Sequence, residues 1–213
     1  MRIRLCLAAL SLVGGAGLAT LTAPTATAAA CTDINVVSAR GTFEPGNLGL
    51  IVGDPVYSAL QRKLTGKSLS SYAVDYPANL SLTSAARGNS DLVNHVRSQA
   101  ATCPDQRFIL VGYSQGANVV DNSIGISSAG APVGSPIVAT IPTALEPKVA
   151  AVLLFGNPIR AIGKSVTGTY QSRTLDICAD GDPVCESGGT DTLAHLSYRD
   201  DADTAATFAA GKV

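Results

Sequence analysis

The stretch Arg107-Phe108-Ile109-Leu110-Val111-Gly112-Tyr113-Ser114-Gln115-Gly116-Ala117 decides how this chain is expected to fold. An apolar run leads into a serine that stands between two glycines, and helix-forming residues follow. The spacing G-x-S-x-G is typical of a sharp strand-to-helix turn that holds the serine hydroxyl clear of the backbone. It therefore predicts a strand, a turn carrying Ser114, and a helix whose first N–H groups face that turn. An ordinary glycine-bounded turn produces the same motif, so the rest of the chain must decide.

Strand and helix patterns alternate on both sides of this stretch. The residues at 149–155 are almost continuously apolar, which is typical of a strand buried on both faces of a parallel sheet. The predicted strands are 34–38, 71–74, 107–112, 149–155 and 173–177, and the predicted helices are 50–64, 85–101, the segment after Ser114, and 200–210. About five strands alternating with helices predict a three-layer α/β sandwich with a central parallel sheet. Its site is expected at the carboxyl ends of the strands.

Composition limits the functions that this chain can have. Of 213 residues, 46% are hydrophobic and 15% are charged, which suits one compact domain, expected to span 31–213. The formal net charge is −1 and no basic run occurs, which argues against a nucleic-acid partner, because phosphates require a clustered Lys/Arg surface.

The first 30 residues have the pattern of a secretory signal peptide. Arg2 and Arg4 precede an apolar segment at 5–21, and Ala28-Ala29-Ala30 supplies an A-x-A cleavage pattern before Cys31. A membrane anchor is the alternative, but glycines interrupt the apolar segment, so no transmembrane segment is expected after signal removal. A lipoprotein signal is disfavoured because Ala28 stands where a larger aliphatic residue is usual. Secretion is the expectation, and cell-wall association is a further one.

Four of the five cysteines, Cys31, Cys103, Cys178 and Cys185, remain after signal removal. An even number in an oxidising compartment predicts disulfides. The sequence permits other pairings, but proximity favours Cys178 with Cys185, which leaves Cys31 with Cys103. A zinc site is the alternative, yet no C-x-x-C spacing occurs and the chain has only 2 histidines, so no metal is expected.

A serine hydroxyl needs an imidazole to take its proton and a carboxylate to orient that imidazole. His95 precedes Ser114 within a predicted helix and is interpreted as a solvated helical residue. His195 follows the last predicted strand, which matches the order serine, acid, histidine of α/β hydrolases.

Three aspartates compete for the role of the acid. Asp182 lies inside the Cys178 to Cys185 segment, where a disulfide would hold it rigidly, and it is therefore favoured. Asp180 shares this segment but is interpreted as a turn residue beside Gly181. Asp191 is nearer His195 in sequence but lies on a flexible stretch.

These residues together resemble the cutinases, a family of secreted serine esterases with the α/β-hydrolase fold. The matching motifs are Ala39-Arg40-Gly41-Thr42, Gly46-Asn47-Leu48-Gly49, Cys103-Pro104, Gly112-Tyr113-Ser114-Gln115-Gly116, Leu154-Phe155-Gly156, Cys178 through Gly181-Asp182 to Cys185, and His195-Leu196. The version Thr42-Phe43-Glu44-Pro45-Gly46 is similar to the actinobacterial, particularly mycobacterial, branch. The resemblance implies Ser114 as nucleophile, Asp182 as acid and His195 as base. It also implies an oxyanion hole made of the N–H groups of Thr42 and Gln115, and the disulfides Cys31–Cys103 and Cys178–Cys185.

The chain departs from the fungal cutinases before His195, where it has Gly189-Thr190-Asp191-Thr192 in place of aliphatic residues. In the fungal cutinases the aliphatic residues form one edge of an apolar groove for the acyl chain. The smaller and more polar edge expected here favours short and medium acyl chains. The candidate apolar contacts for the acyl chain are Leu80, Leu82, Leu193 and Leu196, with membership of the core as the alternative for each.

The sequence therefore predicts a secreted, monomeric esterase that needs no cofactor and acts on a small-molecule, lipid or polymer ester. Acyl transfer, thioester hydrolysis, phospholipid cleavage and polysaccharide deacetylation would use the same three residues and remain alternatives. A non-enzymatic binding protein with a vestigial triad is disfavoured because Ser114, Asp182 and His195 are all present.

Overall fold

The fold is built on five parallel strands that form one sheet in the order β2-β1-β3-β4-β5. It is seen in a computed structural model that describes residues 31–213. The signal peptide predicted for 1–30 lies outside the described residues. The strands are β1 (Ile34–Ala39), β2 (Leu69–Ala73), β3 (Arg107–Tyr113), β4 (Val149–Phe155) and β5 (Thr174–Ile177).

Helices cover both faces of the sheet and complete three layers. They are α1 (Gly53–Lys63), α2 (Ser84–Thr102), α3 (Gln115–Ser123) and α4 (Ala202–Ala210). The helices α2 and α3 share one apolar cluster with Phe108 and Leu110 of β3, whereas α1 and α4 share the other with Ile109 and Val111. Alternate residues of one strand thus fill opposite cores, as the two-residue period of a strand requires. The predicted three-layer α/β fold with a parallel sheet is confirmed.

Two predicted helices begin later than the sequence suggested. The helix predicted from residue 50 begins at Gly53, because residues 45–52 form turns that fold back onto it. A Cβ on Gly53 would lie 2.0 Å from the carbonyl oxygen of Leu48, so this close packing requires glycine. The helix predicted from residue 200 begins at Ala202, after a short 3₁₀ helix at Tyr198–Asp201.

Two disulfides hold the ends of the sheet. Cys31–Cys103 joins the segment before β1 to the end of α2, and Cys178–Cys185 closes the loop that follows β5. Both predicted pairings are thereby confirmed. Within residues 31–213, no helix is long and apolar enough to cross a membrane.

Candidate active site

Ser114 occupies a sharp turn between β3 and α3. Its backbone has φ 54° and ψ −119°, a conformation that non-glycine residues rarely adopt and that is typical of functional sites. A Cβ on Gly112 would lie 2.7 Å from the carbonyl oxygen of Gly116, and one on Gly116 would lie 1.9 Å from that of Ala39. Both glycines of the motif are therefore required for β1, β3 and α3 to approach so closely.

The structure brings Ser114, His195 and Asp182 into one hydrogen-bonded line. The imidazole Nε2 of His195 lies 3.0 Å from Ser114 Oγ, and its Nδ1 lies 2.8 Å from Asp182 Oδ2. Ser114 and Asp182 are buried, whereas the His195 side chain is 16% exposed. Because a carboxylate can only accept, Nδ1 carries the proton and Nε2 is left to accept one from the serine.

The two other candidate acids do not reach the imidazole. Asp191 Oδ1 accepts a hydrogen bond from the backbone N–H of Leu193 at 2.9 Å. Asp180 lines a separate cavity together with Arg160 and the Cys178–Cys185 disulfide. The geometry thus favours Asp182, as the sequence did.

His95 differs from its interpretation as a solvated residue. It is half-buried, its Nε2 lies 2.8 Å from Asn35 Oδ1, and its ring stacks on Tyr72 with centroids 3.5 Å apart. Burial lowers the pKa of His95, with the nearby Asp91 acting in the opposite direction. The interpretation was wrong because position 95 follows the buried Leu92 by three residues and so lies on the sheet-facing side of α2.

The loop after β1 carries Thr42, the predicted second donor of the oxyanion hole. Glu44 braces this loop, since its carboxylate accepts hydrogen bonds from the N–H groups of Gly41 at 2.6 Å and Ile51 at 2.7 Å. Phe43 has φ 57° and donates its N–H to the carbonyl of Ala78 at 2.7 Å. Burial raises the pKa of Glu44, against the opposing effect of the backbone donors.

Gln115, the other predicted oxyanion donor, begins α3 and is held by its side chain. Its Oε1 accepts from Ser84 Oγ at 3.1 Å, and its Nε2 donates to the carbonyl of Asn79 at 2.8 Å. The side chain is fully buried. These bonds tie the first residue of α3 to the chain after β2, so the N–H beside Ser114 has a fixed position.

A cavity of about 400 Å³ opens at Ser114 and His195, and Thr42 also lines it. Of the four leucines predicted for the acyl site, Leu80 and Leu196 line this cavity together with Phe43. Leu82 and Leu193 are not among its lining residues, and they are 91% and 74% exposed. All four leucines are exposed, so the alternative that they belong to the core is wrong.

Two tyrosines at this site were missed in the sequence. Tyr113 donates its hydroxyl to the carbonyl oxygen of His195 at 2.5 Å, and its ring stacks on the imidazole with centroids 5.1 Å apart. Tyr198 donates its hydroxyl to Asp182 Oδ2. The position of Tyr113 directly before Ser114 could have indicated that it lies at the site. For Tyr198, the only signal in the sequence was its spacing of three residues from His195.

Within residues 31–213, no group of three or more His, Cys, Asp or Glu side chains is arranged to hold a metal ion.

Comparison with known proteins identifies the family. The model of the cutinase family matches residues 30–213. The chain belongs to the cutinase family. A cutinase of the actinobacterium Kineococcus radiotolerans is 43% identical over 192 residues, which cover 87% of this chain and 63% of that protein. The chain thus spans less than two thirds of the length of this relative.

Further relatives confirm the predicted resemblance and the α/β-hydrolase fold. The phospholipase Culp4 of Mycobacterium tuberculosis is 41% identical over 173 residues, covering 80% of this chain and 74% of that protein. A Trichoderma reesei cutinase solved with a C11Y4 phosphonate inhibitor is 34% identical with a TM-score of 0.68, and the match covers 85% of this chain and 76% of that one. The cutinase-family resemblance, including its actinobacterial branch, is therefore confirmed.

Proposed function

We propose that this protein is a carboxylic ester hydrolase in which Ser114 is the nucleophile, His195 the general base and Asp182 the orienting acid. The observation that carries the proposal is the bridging imidazole, which lies 3.0 Å from Ser114 Oγ and 2.8 Å from Asp182 Oδ2. Membership of the cutinase family and the likeness to a cutinase solved with a phosphonate inhibitor support the reaction class.

In the first half of the reaction, His195 Nε2 takes the hydroxyl proton as Ser114 Oγ attacks the ester carbonyl. The N–H groups of Thr42 and Gln115 donate to the oxygen that becomes negative, and the N-terminus of α3 adds its partial positive charge. Asp182 stabilises the imidazolium that forms. His195 then gives the proton to the leaving alcohol, which departs and leaves an acyl-serine.

In the second half, a water molecule takes the place of the alcohol. His195 Nε2 removes a proton from this water, whose oxygen attacks the acyl-serine carbonyl. The same N–H groups hold the oxyanion, and the proton on His195 returns to Ser114 Oγ as the acid leaves. Every proton transferred in these steps passes through one nitrogen of one imidazole.

The cavity favours esters with short to medium acyl chains. Phe43, Leu80 and Leu196 give it an apolar wall, and residues 189–192 are not among the residues that line it. Each methylene that this wall buries should stabilise the complex by about 0.8 kcal/mol. Because Leu82 and Leu193 are exposed and a relative is named a phospholipase, a phospholipid is the second candidate substrate.

We also propose that the protein is secreted and acts as a monomer. The signal pattern at 1–30 and the two disulfides support secretion, because such bonds persist in oxidising compartments. All the residues assigned to the reaction come from one chain, which supports the monomer. Association with the cell wall is a further part of this proposal.

The test is hydrolysis of p-nitrophenyl esters of increasing acyl length by the mature protein and by Ser114→Ala. Loss of the nucleophile should lower kcat by about 10³-fold or more, because residual catalysis rests on binding and the oxyanion hole alone. Ser58→Ala, which changes an exposed serine on α1, should match the parent. If Ser114→Ala hydrolyses the esters as fast as the parent, the proposed mechanism is wrong.

A further inference from the structure

We propose that Tyr198 is a positioning residue that fixes the Asp182 carboxylate against His195. The proposal rests on the proposed function, since it gives Asp182 and His195 the roles of acid and base. Tyr198 is fully buried, and its hydroxyl oxygen lies beside Asp182 Oδ2, the same oxygen that His195 Nδ1 contacts.

The direction of the Tyr198 hydrogen bond is set by its second partner. The backbone N–H of Ala179 donates to the Tyr198 hydroxyl oxygen at 3.1 Å. An N–H group can only donate, so the hydroxyl proton must be directed elsewhere. The sulfur of Cys185 lies 3.4 Å away but is a weak acceptor, so Asp182 Oδ2 receives the proton. Tyr198 therefore acts as a donor whose orientation the backbone fixes.

Asp182 thus receives three donors, one from its own disulfide loop and two from the turn at 195–198. The N–H of Val184 donates to Oδ1 at 2.8 Å, and His195 Nδ1–H and the Tyr198 hydroxyl both donate to Oδ2. Hydrogen bonds to an ionised carboxylate are stronger than those between neutral groups. The three donors hold the carboxylate in one orientation, which keeps the imidazole aligned on Ser114.

The Tyr198 ring also forms a wall against the imidazole. The two rings meet edge to face with centroids 6.2 Å apart. Gly156, which has φ 54°, follows β4 at this contact, and a Cβ there would lie 3.0 Å from both Tyr198 Cε2 and His195 Nδ1. The glycine therefore lets β4 end directly against both rings, so neither ring has room to move in that direction.

The hydroxyl can be tested apart from the ring with Tyr198→Phe. Without this donor, the negative charge of Asp182 is less neutralised and stabilises the His195 imidazolium more strongly. We expect kcat to fall about tenfold, with KM within about twofold of the parent, because the carboxylate loses its fixed orientation and this loss outweighs the stronger attraction; one charged hydrogen bond is worth roughly that factor. The acid limb of the kcat/KM profile should move to higher pH by about half a unit.

The matched control is Tyr170→Phe. Tyr170 is also buried, and its hydroxyl finds no hydrogen-bond partner within residues 31–213. This variant loses the same atom from a core tyrosine and should keep the parent's rate and pH profile. Other titratable groups near His195 and Asp182 are Tyr113 on β3, Glu44 in the loop after β1, and Glu186, whose N–H donates to the carbonyl of Asp182, and all three stay unchanged in each variant.

A second measurement does not depend on turnover. The chain has only 2 histidines, so an NMR titration shows few imidazole signals, and His95→Gln assigns them. In Tyr198→Phe the midpoint of the His195 signal should move to higher pH, and in Tyr170→Phe it should not. Thermal unfolding of both variants establishes that each is folded.

The outcomes separate this proposal from the proposed function. If Ser114→Ala remains fully active, the proposed function is wrong, whatever Tyr198→Phe does. If Ser114→Ala is inactive while Tyr198→Phe keeps the parent's acid limb and the parent's His195 midpoint, the positioning role is overturned. A uniform loss of rate at every pH with an unmoved limb would also overturn it, since that result describes a structural role only.

Discussion

Two aspartates in this protein are equally buried and yet have opposite surroundings. Asp182 and Asp121 each expose none of their surface. Asp182 accepts from Val184, His195 and Tyr198, whereas neither oxygen of Asp121 has a hydrogen-bond donor in the described part of the chain. An ionised carboxylate withdrawn from water needs donors to replace its hydration. Burial alone therefore does not decide the charge of a carboxylate, because the donors around it do.

The surroundings of Asp121 oppose its ionisation. Burial and then the nearby charge of Asp176 raise the pKa of Asp121 well above its usual value, against a smaller effect of the Asn157 side chain. Burial likewise raises the pKa of Asp176 to about 6, although Arg160 and Asn157 lower it. The surroundings of Asp121 thus favour its neutral form, whereas the donors around Asp182 suit a charged carboxylate.

The largest effect is expected from Asp182→Asn, which removes the charge that distinguishes Asp182 from Asp121. This variant should lower kcat by about 10³- to 10⁴-fold. The amide cannot serve as a charged acceptor for His195 Nδ1–H, so the imidazole loses both its tautomer and its partner. The measurement is kcat for p-nitrophenyl acetate. Asp180→Asn alters an exposed carboxylate of the same disulfide loop and should leave the rate unchanged. Equal losses in the two variants would contradict the assignment of Asp182.

The two disulfides offer a second test of the role of Asp182, because Cys178–Cys185 closes the loop that carries this residue. Replacing Cys31 and Cys103 by alanine should cost about 4 kcal/mol of unfolding free energy, and replacing Cys178 and Cys185 about 2.5 kcal/mol, since the longer loop restricts the unfolded chain more. The loss of activity should be larger for the Cys178–Cys185 variant than for the Cys31–Cys103 variant, which is the reverse of the order in stability. The Cys178–Cys185 variant loses the loop that holds Asp182, whereas the other disulfide lies at the opposite ends of the strands.

Denaturant unfolding and kcat, both measured on folded samples at a temperature well below unfolding, check this reversal. If the Cys31–Cys103 variant loses more activity than the Cys178–Cys185 variant, the loop does not support Asp182 in the way that the structure indicates. If both lose equal stability, loop length does not control the stabilisation.

The sequence named the three residues that the structure brings together, but it did not reveal the contacts that hold them in place. The motif around Ser114 placed the turn, and two histidines left one in the correct chain order, so Ser114 and His195 could be named without a structure. The strands β3 and β4 were predicted because long apolar runs have little alternative to a buried parallel sheet, whereas β2, which is not an apolar run, begins two residues earlier than predicted. Tyr198 could not be assigned, since its contact with Asp182 depends on how two loops meet after β5.

The burial of Asp121 could not be predicted for a related reason. A polar residue in a helix is normally assigned to the solvent face, but every residue of α3 is buried. The segment after α3 covers it, and Asn118 and Asn122 donate to the carbonyls of Pro132 and Ser135 in that segment. A segment rich in Ser, Gly and Pro gives no periodic signal that would place it over a helix.

The smallest expected effect concerns Asp121 itself. Because its pKa is raised on folding, the folded protein keeps a proton that the unfolded chain loses as pH rises above about 4. Its contribution to stability is therefore full below that pH and declines as pH rises towards the folded pKa, by up to about 1.4 kcal/mol per pH unit. The pKa of Asp176 is also raised, from 3.8 to about 6, so its contribution to stability declines in the same way between these two pH values.

Asp121→Asn removes the contribution of Asp121 to the pH dependence of stability and keeps the shape of the side chain. The variant should match the parent near pH 4 and then gain on its unfolding free energy by up to about 1.4 kcal/mol per pH unit, so that it is the more stable protein at pH 7, with unchanged kcat. Denaturant unfolding at several pH values measures the difference, and Asp105→Asn, which alters an exposed carboxylate in the turn after α2, is the control. If Asp121→Asn is instead less stable than the parent at pH 7, the buried carboxylate is charged and has a donor, and the contrast with Asp182 disappears.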